Sequence, residues 1–197
     1  MGIDMSYSDL LDIVKIIDSL TKIPTYSTLG IAHSRLVYIS TLEGVMSIWA
    51  LDIESYKRNR LTIEPINGVA IPRKISPYVV FIRDVAKGKE LHKIYYVDVY
   101  REREEHVIDI EPMRIFGIAF DGSKVAFTGA TASDIAIYIA KLDGTWEKIA
   151  KLDTLAFVTD VSDRYVVGYG NLRKDPKTFE IFILDLKTNE LKMFTPK

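Results

Sequence analysis

The chain has 197 residues, 48% of them hydrophobic, and its 26 Lys and Arg against 27 Asp and Glu leave a formal charge of −1. That length and apolarity suffice to bury a sizeable core in one domain or two small ones, and they exclude a disordered chain. Balanced charge gives no global electrostatic reason to bind nucleic acid or an anionic membrane, and the absence of Cys excludes disulfides, thiolate catalysis and Cys-based zinc or iron–sulfur sites.

The N-terminus carries Asp4 and no basic segment ahead of an apolar core, so a secretory signal is not expected and the cytoplasm is the expected compartment. From Ser6 to Leu20 the apolar residues recur with helical period. At about 100° per residue, Leu10, Leu11, Ile13, Val14, Ile16, Ile17 and Leu20 sweep about 220° and leave only Asp12, Lys15 and Ser19 as a polar strip. Such a helix is expected to sink into a groove of its own domain or to be covered on its second flank by another body. Pro24 ends it, so residues 1–24 read as helix and linker.

Beyond Pro24 the period changes to two. Candidate strands run over 26–32, 35–41, 45–51, 59–63, 77–83, 91–100, 105–110, 115–120, 124–128, 134–141, 146–152, 157–162, 164–169, 179–185 and 190–194, and Pro72 confines a further short one to 68–71. Glu43-Gly44, Asn67-Gly68, Lys87-Gly88, Asp121-Gly122, Asp143-Gly144 and Thr188-Asn189 supply turn chemistry between them. The pattern predicts an antiparallel all-β body.

This body repeats. An Asp stands at or just past the end of the third strand of each group, at 52, 98, 143 and 185, with separations of 46, 45 and 42 residues. The strings Ile63-Glu64-Pro65 and Ile110-Glu111-Pro112 close the fourth strand of consecutive groups 47 residues apart. Four strands per repeat at this period are the signature of β-propeller blades, whereas a β-sandwich shows turn signals without a repeat of constant phase. Residues 25–197 hold four such repeats of about 43 residues. The expected architecture is therefore an all-β array of about four four-stranded antiparallel blades preceded by one N-terminal helix. Repeats bury their faces on neighbours, so four blades must close into a ring or have their end faces covered by something else.

Phe120-Asp121-Gly122-Ser123-Lys124-Val125-Ala126-Phe127 is similar to the Asp-Gly-Lys-hydrophobic element of TolB-like propellers. Four further strings, Glu64-Pro65-Ile66-Asn67, Arg83-Asp84-Val85-Ala86-Lys87-Gly88, Pro112-Met113-Arg114-Ile115 and Phe127-Thr128-Gly129-Ala130-Thr131, resemble the N-terminal propeller of acylaminoacyl peptidases of the prolyl oligopeptidase family. That resemblance implies a seven-bladed propeller that restricts access to an α/β-hydrolase domain, whose Ser-Asp-His triad releases an acylated N-terminal residue from short peptides. This sequence resembles the propeller alone. It has no Gly-x-Ser-x-Gly elbow, no alternating βα pattern and room for only four blades, so a truncated, non-catalytic form is expected.

In a four-stranded blade, the loops joining second to third strand and fourth strand to next blade emerge on one side, which places all four strings on one face. Glu64, Arg83, Asp84, Lys87, Glu90 and Arg114 are its candidate domain-interface or substrate-gating residues, against the plainer reading of each as a solvated loop charge. The expected partners are the α/β-hydrolase domain of the parent enzyme or a second copy of the chain, with peptide as the substrate of the full-length enzyme. Neither cofactor nor metal is expected: His33, His92 and His106 show no ligand spacing. The run Arg101-Glu102-Arg103-Glu104-Glu105 reads as a solvated hairpin tip. Absent Gln and only four Asn suggest a heat-adapted source. The alternative function is an independent propeller that binds a protein or small ligand.

Overall fold

The computed structural model describes residues 11–15, 19, 23–173 and 178–194. Residues 11–15 and 19 are helical, with Lys15 Nζ 3.0 Å from Asp12 Oδ1. Leu10, Ile16, Ile17 and Leu20 lie outside the described residues, so the predicted apolar sweep is described only at Leu11, Ile13 and Val14, all of which are exposed. No helix among the described residues is long and apolar enough to cross a membrane.

The rest is antiparallel sheet. Strands β1 (Tyr26–Ala32), β2 (Arg35–Ser40), β3 (Ser47–Asp52) and β4 (Arg58–Arg60) pair in chain order as blade 1. A seven-stranded sheet follows: β5 (Gly68–Ala70), β6 (Tyr78–Asp84), β7 (His92–Asp98), β8 (Glu105–Phe120), β9 (Lys124–Ala130), β10 (Ile135–Lys141) and β11 (Trp146–Leu152). Strands β12 (Ala156–Val161), β13 (Tyr165–Gly170), β14 (Glu180–Asp185) and β15 (Glu190–Met193) form blade 4.

The seven-stranded sheet is two blades that share one strand. Residues Glu105 to Ile108 and Met113 of β8 pair with β7 as the outer strand of blade 2, and Arg114 to Phe120 pair with β9 as the inner strand of blade 3. The expectation of separate strands at 105–110 and 115–120 is thereby corrected: the chain crosses between blades fully extended. No turn residue interrupts it, and Pro112 falls in the irregular stretch where the partner changes, so its missing N–H costs no ladder bond.

The Asp that marks each repeat has one job in all four blades. Asp52 Oδ1 accepts from the N–H groups of Glu54 and Ser55, Asp98 Oδ1 from Tyr100, Asp143 Oδ1 from Thr145 and Asp185 Oδ1 from Lys187, at 2.9–3.0 Å. Each carboxylate closes the turn between third and fourth strands, the local side-chain bonding that makes Asp a turn residue.

A second repeat becomes visible only in the register. At the same cross-strand position, Tyr38 stacks on Trp49 in blade 1, Phe81 on Tyr95 in blade 2 and Phe127 on Tyr138 in blade 3, with ring planes within 17°. In blade 4 the pair is Gly168 with Phe182, and a Cβ on Gly168 would stand 2.5 Å from the Phe182 ring, so the ring occupies the space of both partners. From blade 2 onward this position faces the preceding blade: Phe81 packs with Val37 and Ile48, Phe127 with Ile82 and Ile94, Phe182 with Ala126 and Ile137. Burial of these sheet faces drives the stacking, at about 25 cal/mol per Å² of apolar surface removed from water.

Three cores thus join four blades, and among the described residues none joins blade 4 back to blade 1. The array is an open arc. Two features pull its far end in. At Gly117 a Cβ would lie 2.6 and 2.7 Å from the Val158 backbone, so the inner strands of blades 3 and 4 meet backbone to backbone. Segment 71–76 of blade 2 crosses beneath blade 3, where Arg73 and Lys74 donate their N–H groups to Phe120 and Asp121, and then reaches blade 4, where Arg73 pairs with Asp160 and Lys74 Nζ lies 2.5 Å from Asp163.

Candidate functional site

The four sequence strings meet along one loop face of the array, from the blade 1–2 link to blade 3. The link from blade 1 to blade 2 carries Glu64, Pro65 and Asn67; the end of β6 and the β6–β7 loop carry Arg83 to Glu90; β8 carries Pro112 to Ile115; and β9, ending at Ala130, carries Phe127 to Ala130. Contacts tie them in sequence. Arg83 donates to the Glu64 and Pro65 carbonyls at 3.3 Å, the Asp84 N–H donates to Asn67 Oδ1 at 2.8 Å, Arg114 pairs with Glu90, and Arg114 stands opposite Ala130 in the β8–β9 ladder.

The six candidate charges divide by what they do there. The Arg83 guanidinium is buried, lies 5.3 and 5.1 Å from the Phe81 and Tyr95 ring centroids, and forms a two-point pair with Glu105 at 2.7 and 2.9 Å. Glu105 also accepts the Ile63 N–H at 2.7 Å, and the Glu64 carboxylate lies 3.6 Å from Arg83 Nε. Burial alone would raise the Glu105 carboxyl, but the Arg83 fork and the Ile63 N–H more than offset it and hold the group below its ordinary value. This cluster fastens the link between blades 1 and 2, and the Arg83 charge is neutralised within it.

Asp84 organises the next loop. Its carboxylate accepts from Ala86 at 2.8 Å, Gly88 at 2.6 Å and Glu90 at 3.3 Å, and these bonds, led by that from Ala86, lower its pKa. Lys87 and Glu90 take left-handed φ of 53° and 55° as the loop wraps this carboxylate. Lys87, Glu90 and Arg114 remain exposed around it. Beneath them His92 is buried, its Nδ1 accepting the Ile115 N–H at 3.1 Å, and burial pushes its pKa down, so it is the neutral ring.

Sequence reasoning missed Glu105 and His92. Glu105 reads as the end of a solvated run, and that expectation is corrected: Arg101 pairs with Glu104 at the hairpin tip while Glu105 turns inward to Arg83. A partner 22 residues distant leaves no local signal. Among the described residues no group of three or more His, Asp or Glu is arranged to hold a metal. A separate open pocket of about 380 Å³ among the inner strands is lined by Leu29, Val69, Ile118 and Phe120 with Arg73 and Asp160.

Residues 37–197 match the family described as acylamino-acid-releasing enzyme-like, N-terminal domain. Among solved structures, TolB from Acinetobacter baumannii is similar at a TM-score of 0.65 and 15% identity, with 87% of this chain and 44% of that one covered. An oligogalacturonate lyase from Vibrio parahaemolyticus matches at 0.61 and 13%, covering 87% and 53%. The β-propeller domain of the Trilobed protease from Pyrococcus furiosus, described as having an open velcro topology, matches at 0.60 and 13%, covering 89% and 58%. At these identities the likeness shows the fold alone, and the chain spans about half the length of the structures it matches.

Proposed function

This chain belongs to the acylamino-acid-releasing enzyme-like N-terminal domain family, and we propose that it is the non-catalytic, substrate-gating propeller portion of such a peptidase, acting beside an α/β-hydrolase domain that supplies the nucleophile. The family match over 37–197 carries this reading. The geometry of the loop end supports it: the buried Arg83–Glu105 pair and the Asp84 carboxylate hold the segments that present exposed Glu64, Lys87, Glu90 and Arg114 at the rim. Function grafted onto loops above a fixed scaffold is the usual division of labour. In this assignment Glu64, Lys87, Glu90 and Arg114 meet the hydrolase domain and edge the path by which an acylated peptide enters, while Arg83 and Asp84 set their positions.

The test has two arms. The chain alone, given acetyl-amino-acid nitroanilides, is expected to show no turnover sensitive to a serine-directed inhibitor. Mixed with a separately produced hydrolase domain of the family, it is expected to bind, and a Lys87→Glu, Arg114→Glu variant to bind more weakly with its blades intact. Inhibitor-sensitive turnover by the chain alone, or binding indifferent to the rim charges, would overturn the assignment.

A further inference from the structure

The chain is poor in side-chain amides, with no Gln and four Asn. Asn59, Asn171 and Asn189 are each followed by a residue with a large side chain, Arg60, Leu172 and Glu190, whereas Asn67 precedes Gly68. An Asn amide is open to attack by the main-chain nitrogen of the residue that follows it, and that nitrogen comes closest when its residue has no Cβ.

The fold places Asn67 where this attack is assisted. The residue is exposed and lies in a bend just ahead of β5, outside the extended ladder that would hold the next nitrogen away from Cγ. Its N–H donates to the Ile82 carbonyl at 2.9 Å and its Oδ1 accepts the Asp84 N–H at 2.8 Å, so main chain and side chain are both oriented. A main-chain N–H aimed at Oδ1 draws electrons from Cγ and stabilises the negative charge that develops on that oxygen as a nucleophile adds, as in the oxyanion sites of acyl transfer. Asn171 is the contrast: its Oδ1 is buried without a hydrogen-bond partner, and the Leu172 nitrogen that would attack it donates to buried Glu180 at 2.7 Å.

We infer that Asn67 is a self-modification site, at which Gly68 closes a succinimide ring and the amide becomes an acid. The deprotonated Gly68 nitrogen bonds to Asn67 Cγ, the Cγ–Nδ2 bond breaks and ammonia leaves. Water then opens the ring at either carbonyl, leaving aspartate or isoaspartate at position 67. The sum is amide plus water to carboxylate plus ammonium, with no oxidant or reductant. Opening to isoaspartate draws Cγ into the main chain, lengthens the link between blades 1 and 2 by one atom, and takes the Oδ1 acceptor away from the Asp84 N–H. Asp84 is the residue whose carboxylate gathers the N–H groups of Ala86, Gly88 and Glu90, so the loop carrying Lys87 and Glu90 loosens as the protein ages. This chemistry belongs to residues 67, 68 and 84 and is independent of whether the loop gates a peptidase.

Incubation of the full chain at neutral and at mildly alkaline pH, followed by peptide mapping and isoaspartyl methyltransferase labelling, tests it. Conversion at Asn67 is expected to run at least about tenfold faster than at any other Asn, to quicken with pH, and to yield isoaspartate, which only ring opening produces. Gly68→Ala is expected to slow it about tenfold with unchanged circular dichroism, since the added methyl meets only the Ile82 side chain, at 3.1 Å. Asn67→Gln, which cannot close the five-membered ring, should release no ammonia from this position. In the converted protein, hydrogen exchange at Ala86, Gly88 and Glu90 should quicken while the Asp52-capped turn at Glu54 and Ser55 stays protected. An intact Asn67 after the other Asn residues have reacted, conversion without isoaspartate, or conversion that leaves exchange at 86–90 unchanged would overturn the inference.

Discussion

The two ends of the arc are built from the same repeat and finish differently. On blade 1, the stacked Tyr38 and Trp49 occupy the position that in every later blade faces its predecessor, and they are buried. On blade 4, Tyr169, Ile181 and Phe194 occupy the face that would meet a successor, and they are exposed. A blade face is therefore not intrinsically core or surface. Composition makes it fit for burial, and the neighbour decides whether burial happens.

The largest test of this contrast substitutes the two aromatic faces. Trp49→Ala is expected to cost about 3–5 kcal/mol in denaturant unfolding, as large-to-small changes in a packed core do, whereas Tyr169→Ala should cost under about 1 kcal/mol. Equal effects would mean that the blade 1 face is not part of a core. Next come the two arginines. Arg83→Met strands the Glu105 carboxylate in a site built for a charge pair and is expected to cost about 3 kcal/mol, with Glu105→Met in the same chain recovering much of it. Arg164→Met, at the exposed pair with Asp185 on blade 4, should leave stability within experimental error.

Gly117→Ala sharpens the comparison from inside the array. It forces the inner strands of blades 3 and 4 apart, at a cost of about 1–3 kcal/mol, and hydrogen exchange should show β12 to β15 losing protection before blade 1 does. The smallest effect is acid. His92 is held neutral by burial, so its folded pKa lies below the unfolded value of about 6.5, and the stability it contributes is present above that pH and declines as pH falls beneath it. Glu105, also lowered, adds a second loss below about 4.3. His92 sits where blade 2 meets blade 3, so protection there should fall between pH 7 and 5 in the native protein, before the Glu105 loss begins; an unchanged exchange profile over that range would contradict the assignment of a buried, neutral His92.

Much of this was legible in the chain. The period-two strands, the Asp at 52, 98, 143 and 185 and the turn dipeptides are local signals, and the structure gives them local causes: alternation puts one face of each strand toward a core, and each Asp caps the turn that follows it. The grouping of the four strings on one loop face also follows from blade connectivity. Continuity of β8 through Pro112 was not legible, because a proline reads as a strand end unless the switch of partner at that point is known.

What the sequence determined by itself is the repeating unit: four strands, one capped turn and two faces apolar enough to be buried, all set by residues within reach of one another along the chain. Which charges became structure and which stayed at the rim depended on partners brought together by folding, as Arg83 met Glu105 from 22 residues away and Lys74 met Asp163 from 89. The same holds for the ends of the arc. Local pattern can make a face ready for burial, but the free energy of burial belongs to the pair of surfaces, and only tertiary structure decides whether the second surface is there.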